Sequence, residues 1–460
     1  MLHDIKTRAV SLAALLVSTA TFVLPADSRA DDARSLSLQS GGEPVHIVSS
    51  CPPDPGWFPH AQTPPANDAG FKGGSACDFH KWAWQTFLWL TQDDGSGQPR
   101  FLSFPSPQDL GKPVGMEKSI PLFLPRTIKS KTGSPVDEIA QAGSGGLLID
   151  RQGRAVYYSQ HIDPTYVDFI RSNQLTSRNA IDAFSPTTPF PVGTKELKIS
   201  WKIATPEEAA SGRFFTIRAQ IAALRHDANG KIVADPTRPI AETLALVGFH
   251  VVGTVAGHPE MIWATFEHED NAPDLTVNEP TPEMIVSRRD WTFYQAYTPY
   301  SECNVNAGKK LMLNETTQKL SPITQACQLH PFGVDPQPAS PMEAGNRRAI
   351  VDLDRGVRAR LSREGGVWSH YFESGAIWFK DGSQLKPGLG LADDTLLAGS
   401  LKLANTTMET FTQEAADTQN CFRCHNTLSF QGGPPNMDLD ISHAFIGYFF
   451  SLGEKNDAKK

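Results

Sequence analysis

Two cysteines and a histidine near the end of the sequence form the short motif whose spacing specifies a chemistry most sharply. Cys421, Cys424 and His425 stand in a Cys-x-x-Cys-His pattern, which is typical of covalent attachment of a c-type haem. Two thiols three positions apart can each form a thioether with a haem vinyl group. The adjacent imidazole then becomes the proximal ligand of the iron. The motif therefore predicts one covalently attached haem c.

Two other interpretations of the motif stay open beside haem attachment. The cysteine pair would supply half of a zinc site, although zinc takes about four N or S ligands and no second pair has matching spacing. The pair would also suit a redox dithiol, although such motifs usually follow a strand. Here residues 395–417 have a helix-favouring composition, so we expect a helix to lead into the motif.

The ligand on the other side of the iron decides between an electron carrier and a catalyst. A sixth protein ligand suits electron transfer, whereas an open position lets a small molecule reach the iron. The candidates for this distal position are His443, Met437, His250 and His268, and an open or water-bound iron is the alternative. With an open iron, His268 and the adjacent Glu267 are the expected acid–base pair. The sequence identifies no catalytic residue beyond this suggestion.

Residues 1–30 have the organisation of a cleavable secretory signal. Lys6 and Arg8 precede an apolar stretch, and a small-x-small site ends at Ala30. The apolar stretch is too short and too rich in Ala, Ser and Thr for a convincing membrane span. We therefore expect a periplasmic mature protein without a membrane span, and an uncleaved N-terminal anchor is the alternative.

Charge and cysteine content agree with an exported protein. The formal net charge is −8, which argues against a nucleic-acid partner because such partners select a basic face. Four cysteines remain outside the motif, an even number that suits disulfides in an oxidising compartment. We expect the pairs Cys51–Cys77 and Cys303–Cys327, because each closes a short loop. The expected partners are redox proteins of the periplasm.

The hydrophobic pattern predicts an α+β chain with a β-rich body, short helices and a C-terminal helical haem-bearing segment. Alternating apolar residues predict strands at 196–203 and 215–221, and two apolar runs predict neighbouring strands at 244–252 and 261–266. An aromatic helix is expected at 77–90. The predicted units are a signal at 1–30, an arm with the aromatic helix at 31–145, the body at 146–395 and the haem segment at 396–460.

The late position of the motif predicts how a haem would be enclosed. In the common small cytochrome c fold the motif lies near the start of the domain, and the sixth ligand comes from far downstream. Here only residues 426–460 follow the motif. We therefore expect the C-terminal segment to act as a haem-bearing plug against the β-rich body.

Several segments resemble a poorly characterised family of exported bacterial mono-haem cytochrome c proteins. The segments are, in order, 83–88 (AWQTFL), 197–202 (LKISWK), 247–252 (VGFHVV), 263–268 (WATFEH), 403–410 (LANTTMET) and the Cys-x-x-Cys-His motif. The resemblance spans most of the chain after the signal. It implies a haem c protein and carries over no catalytic residue.

Together these features favour a periplasmic c-type cytochrome that binds haem and transfers single electrons. The alternative is a haem-dependent oxidoreductase, peroxidase-like or oxygenase-like, with an open distal site. The large body outside the motif favours this alternative, since an electron carrier needs little protein. A sensing or assembly module with a structural haem is a third hypothesis.

Overall fold

The computed structural model describes residues 51–59, 71–110, 139–391, 394–414 and 419–457, with side chains as far as residue 452. The expected signal at 1–30 and much of the expected arm lie outside these residues. The described chain is a mixed α+β structure with a mostly antiparallel sheet and short helices, as the hydrophobic pattern predicts.

Seven of the strands form one antiparallel sheet in the order β1-β2-β4-β5-β8-β9, and β3 pairs with β4 beside this path. A separate hairpin consists of β6 and β7. The strands are β1 (Tyr157–Ile162), β2 (Lys195–Ile203), β3 (Thr216–His226), β4 (Ile232–Val255), β5 (His258–His268), β6 (Met312–Asn314), β7 (Lys319–Ser321), β8 (Tyr371–Phe379) and β9 (Leu397–Gly399).

The long strand β4 organises the sheet because it has different neighbours along its length. Its first part pairs with β3, while its last part pairs with β2 on one side and β5 on the other. The four strands predicted in this region are all present. The turn between the last two of them is short, since Val255 of β4 pairs with His258 of β5.

Several helices begin at residues whose side chains cap the first turn. They are α1 (Ala76–Thr91), α2 (Pro164–Ser172), α3 (Arg178–Asp182), α4 (Pro206–Ala210), α5 (Pro341–Arg363), α6 (Cys421–Cys424) and α7 (His443–Asp457). Asp163 caps α2 by accepting a hydrogen bond from the Tyr166 amide. Thr205 and Glu208 form a capping box at α4. Among the described residues, no helix combines the length and apolar character needed to cross a membrane.

The sheet separates two packed layers. The aromatic helix α1 and helix α5 cover one face, where Phe87 of α1 stacks on Phe266 of β5 with ring centroids 4.2 Å apart. The other face is covered by the C-terminal segment, whose Phe422 packs with Phe379 of β8. Side chains alternate between the faces along each strand, so β5 contributes to both layers.

The helix expected at 395–417 is wrong for the part that the structure describes. Residues 394–414 contain a short turn, strand β9 and irregular chain, while 415–418 lie outside the described residues. The side chain of Asn405 donates to Thr265 Oγ1 at 2.8 Å, and Thr406 bonds Glu267. Asn and Thr side chains that bond in this way compete with a helix, and here the sheet provides their partners.

Both expected disulfides, Cys51–Cys77 and Cys303–Cys327, are present. Each closes a short loop and ties an irregular segment to a neighbouring part of the fold. Strand β9 of the C-terminal segment pairs with β8 of the body. The segment that carries the motif is therefore joined to the main sheet.

Candidate functional site

The two motif cysteines lie on a single turn. Helix α6 consists of Cys421–Cys424, and the His425 amide closes the turn by donating to the Cys421 carbonyl at 2.8 Å. Both cysteines are partly buried, and neither belongs to a disulfide. Burial, followed by the nearby Glu409 charge, raises the pKa of the Cys421 thiol well above its usual value. The turn therefore presents two thiols beside an imidazole, and burial favours the protonated form of the Cys421 thiol.

The ring of His425 is oriented by a backbone carbonyl. Its Nδ1 lies 3.1 Å from the carbonyl oxygen of Ile441. Because a carbonyl only accepts, Nδ1 carries the proton and Nε2 holds the lone pair. Burial, followed by the charge of His443, lowers the pKa of His425 well below its usual value and keeps the ring neutral. A backbone carbonyl that fixes the tautomer of the ring in this way is typical of a metal-binding histidine.

Aromatic rings enclose the His425 imidazole. The ring of Trp263 lies 4.0 Å away, and the ring of His443 lies 3.8 Å away, measured between centroids. His443 donates from Nε2 to the Cys424 carbonyl at 3.2 Å, and Phe430 packs against its ring edge. These contacts keep the imidazole from rotating away from the thiols.

Three rows of residues that face each other across the strands form the sheet surface beneath the motif. The first row is Glu196, Val252, Trp263 and Ile377. The middle row is Gln160, Lys198, His250, Thr265 and Gly375. The third row is Tyr158, Ser200, Gly248 and Glu267. Residues two positions apart on a strand share a face, so all three rows point toward the C-terminal segment.

The first row supports the motif and the start of α7. Trp263 contacts both Phe422 and His425. Glu196 accepts a short hydrogen bond from the Ser442 hydroxyl, and Ser442 also accepts from the Phe445 amide as a cap of α7. Burial raises the pKa of Glu196 to about 7. This row is buried and leaves little room for a ligand.

The third row anchors residues 405–407 to the sheet. Glu267 accepts hydrogen bonds from the Thr406 amide at 3.1 Å and from the Thr406 hydroxyl. The Ser200 and Thr407 hydroxyls are 2.6 Å apart. The segment that precedes the motif is therefore fixed by buried polar contacts rather than by helical packing.

The middle row is polar and partly exposed between two buried rows. His250 Nδ1 lies 2.8 Å from Thr265 Oγ1, and His250 Nε2 lies 3.3 Å from Glu409 Oε1. The side chains of His250 and Glu409 are 15% and 29% exposed, so solvent reaches this row. After burial and the charge of His443, the charge of Lys198 also contributes to lowering the pKa of His425, so the middle row lies near the motif.

His268 does not face the motif, and its expected pairing with Glu267 is wrong. The ring stacks on Phe214 with centroids 3.8 Å apart, and its nitrogens bond the Arg213 carbonyl and the Asp270 amide, both at 3.1 Å. Burial lowers the pKa of His268 to about 4. Glu267 and His268 are consecutive strand residues, so they point to opposite faces of the sheet.

The other distal candidates all belong to the layer that carries the motif. Met437 is buried in the core that also contains Phe422. His443 touches the His425 ring directly, and His250 lies in the middle row. No local pattern marked Lys198 and Glu409 as site residues, although Lys198 lies on the polar side of a strand with clear alternation. Trp263 and the Ile441 carbonyl were missed because no local pattern marks them.

The described residues fit a c-type haem in the kinds of atoms they offer. Two thiols on one turn, a neutral imidazole with its lone pair on Nε2, and a neighbouring solvent-accessible row suit a planar group joined to the motif. Within the described ranges, no group of three or more His, Cys, Asp or Glu residues is arranged to hold a metal ion. No known family model, curated protein or solved structure matches the chain. The resemblance to the mono-haem family therefore depends on the sequence segments alone.

Proposed function

We propose that this chain is an exported c-type cytochrome that transfers single electrons in the periplasm. Cys421 and Cys424 would hold one haem through thioethers, and His425 would bind its iron through Nε2. When bound, the haem supplies one-electron iron chemistry. The observation that supports this most directly is the hydrogen bond from His425 Nδ1 to the Ile441 carbonyl. Because this bond holds the proton on Nδ1, Nε2 keeps its lone pair and can act as a metal ligand next to both thiols.

The surrounding residues have roles that suit this function. The Ile441 carbonyl holds the proton on Nδ1, and Trp263 and His443 restrict rotation of the imidazole. Phe422 and Phe379 pack together behind the motif and keep water away from it. An apolar, preorganised proximal side limits the rearrangement that accompanies a change in iron charge.

A redox partner would approach near the motif, since electrons transfer over short distances. Leu428 lies three residues after His425 and is 41% exposed, unlike most large apolar side chains of this layer. Weak redox complexes use small interfaces, for which one exposed apolar side chain beside the motif is a suitable contact.

The test is the mass and spectrum of the mature protein made in cells that attach haem to c-type cytochromes. We expect a mass increased by one haem after denaturation, and a single-electron redox titration. The variants Cys421→Ala and Cys424→Ala should lose stable attachment. The double variant Cys303→Ser/Cys327→Ser is a matched control, because it removes two cysteines away from the motif and should keep the haem. A wild-type mass without haem would contradict the proposal.

The middle row favours a second candidate function, a haem-dependent oxidoreductase with an open distal site. An electron carrier has no need of a solvent-accessible histidine held by a carboxylate beside its cofactor, as His250 is by Glu409. Optical spectra separate the two functions. A low-spin iron that does not bind added ligands supports the electron carrier. A high-spin iron that binds them supports the oxidoreductase.

A further inference from the structure

The middle row carries an inference that rests on the second candidate function, a haem with an open distal site, and concerns which ligands that site would accept. We infer that His250 is a hydrogen-bond donor to a small anionic ligand beside the motif, and that it is not the sixth iron ligand. Thr265 and Glu409 are its positioning residues. The ligand class is a small anion of two or three heavy atoms with acceptor oxygen or nitrogen, of the size of azide, nitrite or hydroperoxide.

The hydrogen-bond partners of His250 argue against coordination. A histidine that binds a metal needs an unprotonated ring nitrogen directed at it. Nε2 faces the Glu409 carboxylate, which accepts, so Nε2 carries a hydrogen. Nδ1 faces the Thr265 hydroxyl at 2.8 Å and is turned toward the sheet. Both ring nitrogens of His250 therefore have hydrogen-bond partners, and Nε2, which faces Glu409, is a donor.

The two ends of the ring are held with unequal strength. The Nδ1 contact has an ordinary hydrogen-bond length, and Thr265 is itself fixed by the Asn405 amide group at 2.8 Å. The Nε2 contact of 3.3 Å is longer than most N–H···O bonds. Thr265 therefore holds the ring in place through Nδ1, while the Nε2–H is bonded only weakly to Glu409. This N–H can also donate to a ligand that binds beside it.

Glu409 is fixed by its own contacts rather than by His250 alone. Its Oε2 accepts from the Asn405 amide at 3.0 Å, while Oε1 faces His250. The same asparagine thus positions Thr265 through its side chain and Glu409 through its backbone. This shared support sets the direction of the Nε2–H bond, which is the requirement for a preorganised donor.

Charge and space limit the ligand to small anions. Lys198 lies directly across from His250 in the middle row, and its positive charge offsets the negative charge of Glu409, which faces His250 Nε2. The neighbouring rows are buried, with Trp263 on one side and the Ser200–Thr407 pair on the other. A bulky substrate would have to displace these contacts, whereas an ion of azide size needs only space beside the partly exposed His250 and Glu409 side chains.

The test uses the haem-loaded full-length protein and compares azide with carbon monoxide. Azide is an anion that accepts hydrogen bonds, and carbon monoxide is a neutral ligand that does so weakly. In His250→Leu we expect azide affinity to fall about tenfold, as for loss of one hydrogen bond to a charged group. Carbon monoxide affinity should change by less than about threefold. His250→Gln keeps an N–H donor and should recover part of the azide affinity.

A positioning variant and the spectra give further independent readouts. Thr265→Val removes the anchor of the ring without touching Nε2, and should weaken azide binding while leaving haem content unchanged. Four outcomes would overturn the inference: failure of the wild type to bind azide, parallel losses for both ligands in His250→Leu, a change from low-spin to high-spin iron in that variant, or azide binding unaffected by it. A wild-type protein without haem would instead overturn the proposed function, and the mass measurement distinguishes that case.

Discussion

The imidazole rings of His425 and His443 lie nearly face to face, with centroids 3.8 Å apart and 30° between their planes. Ligands on opposite sides of one metal each sit about 2 Å from it through a ring nitrogen, which separates their centroids by about 6 Å. The observed stack is shorter than that separation. In this arrangement His443 supports the proximal imidazole rather than opposing it.

Replacement of His443 tests that relationship. We expect His443→Leu to keep the haem and the spin state of the wild type, because the His443 ring is a packing neighbour of His425 and its Nε2 donates to the Cys424 carbonyl. The reduction potential should shift, since the packing around the ligand changes. Optical spectra and a redox titration measure both, with the exposed His226→Leu as control. Conversion to high-spin iron would show that His443 is the sixth ligand.

Replacement of Glu267 should destabilise the fold strongly. Its oxygens accept from the Thr406 amide, the Thr406 hydroxyl, the Ser374 hydroxyl and the Asn271 amide group. An amide in Glu267→Gln turns an N–H group toward these donors, and we expect a loss of about 3 kcal/mol of unfolding free energy. Urea unfolding measures the loss.

The exposed Glu283→Gln is the matched control for that experiment, and it should change stability by less than about 0.5 kcal/mol. Equal stability of the two variants would show that the contacts between Glu267 and residues 405–407 contribute little to the fold.

Asp354 makes stability fall as the pH rises. Burial, followed by the charge of Glu373, raises the pKa of Asp354 to about 8. The folded carboxyl keeps its proton up to that pH, while the unfolded carboxyl loses it near pH 4. Its stabilising contribution is therefore full below about pH 4 and is lost as the pH rises toward 8, at about 1.4 kcal/mol per pH unit.

The variant Asp354→Asn should remove this part of the pH dependence. Its side-chain oxygen can still accept from Trp84 Nε1 and from the Glu373 amide, which lie 2.8 and 3.1 Å from the wild-type Oδ1. Unfolding free energy measured between pH 5.5 and 8 should fall less steeply than in the wild type. Asp352→Asn on the same helix is the control and should keep the wild-type slope. Identical slopes in all three proteins would refute the assignment.

Two glycines should respond oppositely to alanine. A methyl group on Gly248 would meet the Thr407 hydroxyl and lie 2.6 Å from Ser200 Oγ, so Gly248→Ala should cost about 1–3 kcal/mol. A methyl group on Gly447 in α7 meets no atom within 4 Å, so Gly447→Ala should gain about 0.5–1 kcal/mol from helix propensity. Thermal unfolding of both variants measures these changes in stability. An unchanged stability of Gly248→Ala would show that residues 405–407 can move to accommodate the methyl group.

Local sequence signals predicted those elements whose causes are local. Alternation located β2 and β3, and loop length selected both disulfides. The helix expected at 395–417 failed because the partners of Asn405 and Thr406 lie more than a hundred residues earlier. Helix propensity carries no information about such contacts.

Of the candidate site, only the Cys-x-x-Cys-His motif was predictable from the sequence. The spacing of Cys421, Cys424 and His425 is readable directly, but the middle row depends on strand register across distant segments. His250 meets Lys198 and Thr265 only once β2, β4 and β5 are aligned. His268 was misplaced for a related reason, since a shift of one residue along a strand reverses the face.

The two-stranded ribbon formed by β3 and the first part of β4 provides a site for attaching a label or a tag. Its tip at residues 228–230 is exposed. Exposed tips of this kind accept insertions. The tip lies about twenty residues along β4 from His250, so a fluorophore or surface-attachment tag placed there would leave the middle row beside the motif accessible to electrodes, dyes and soluble mediators.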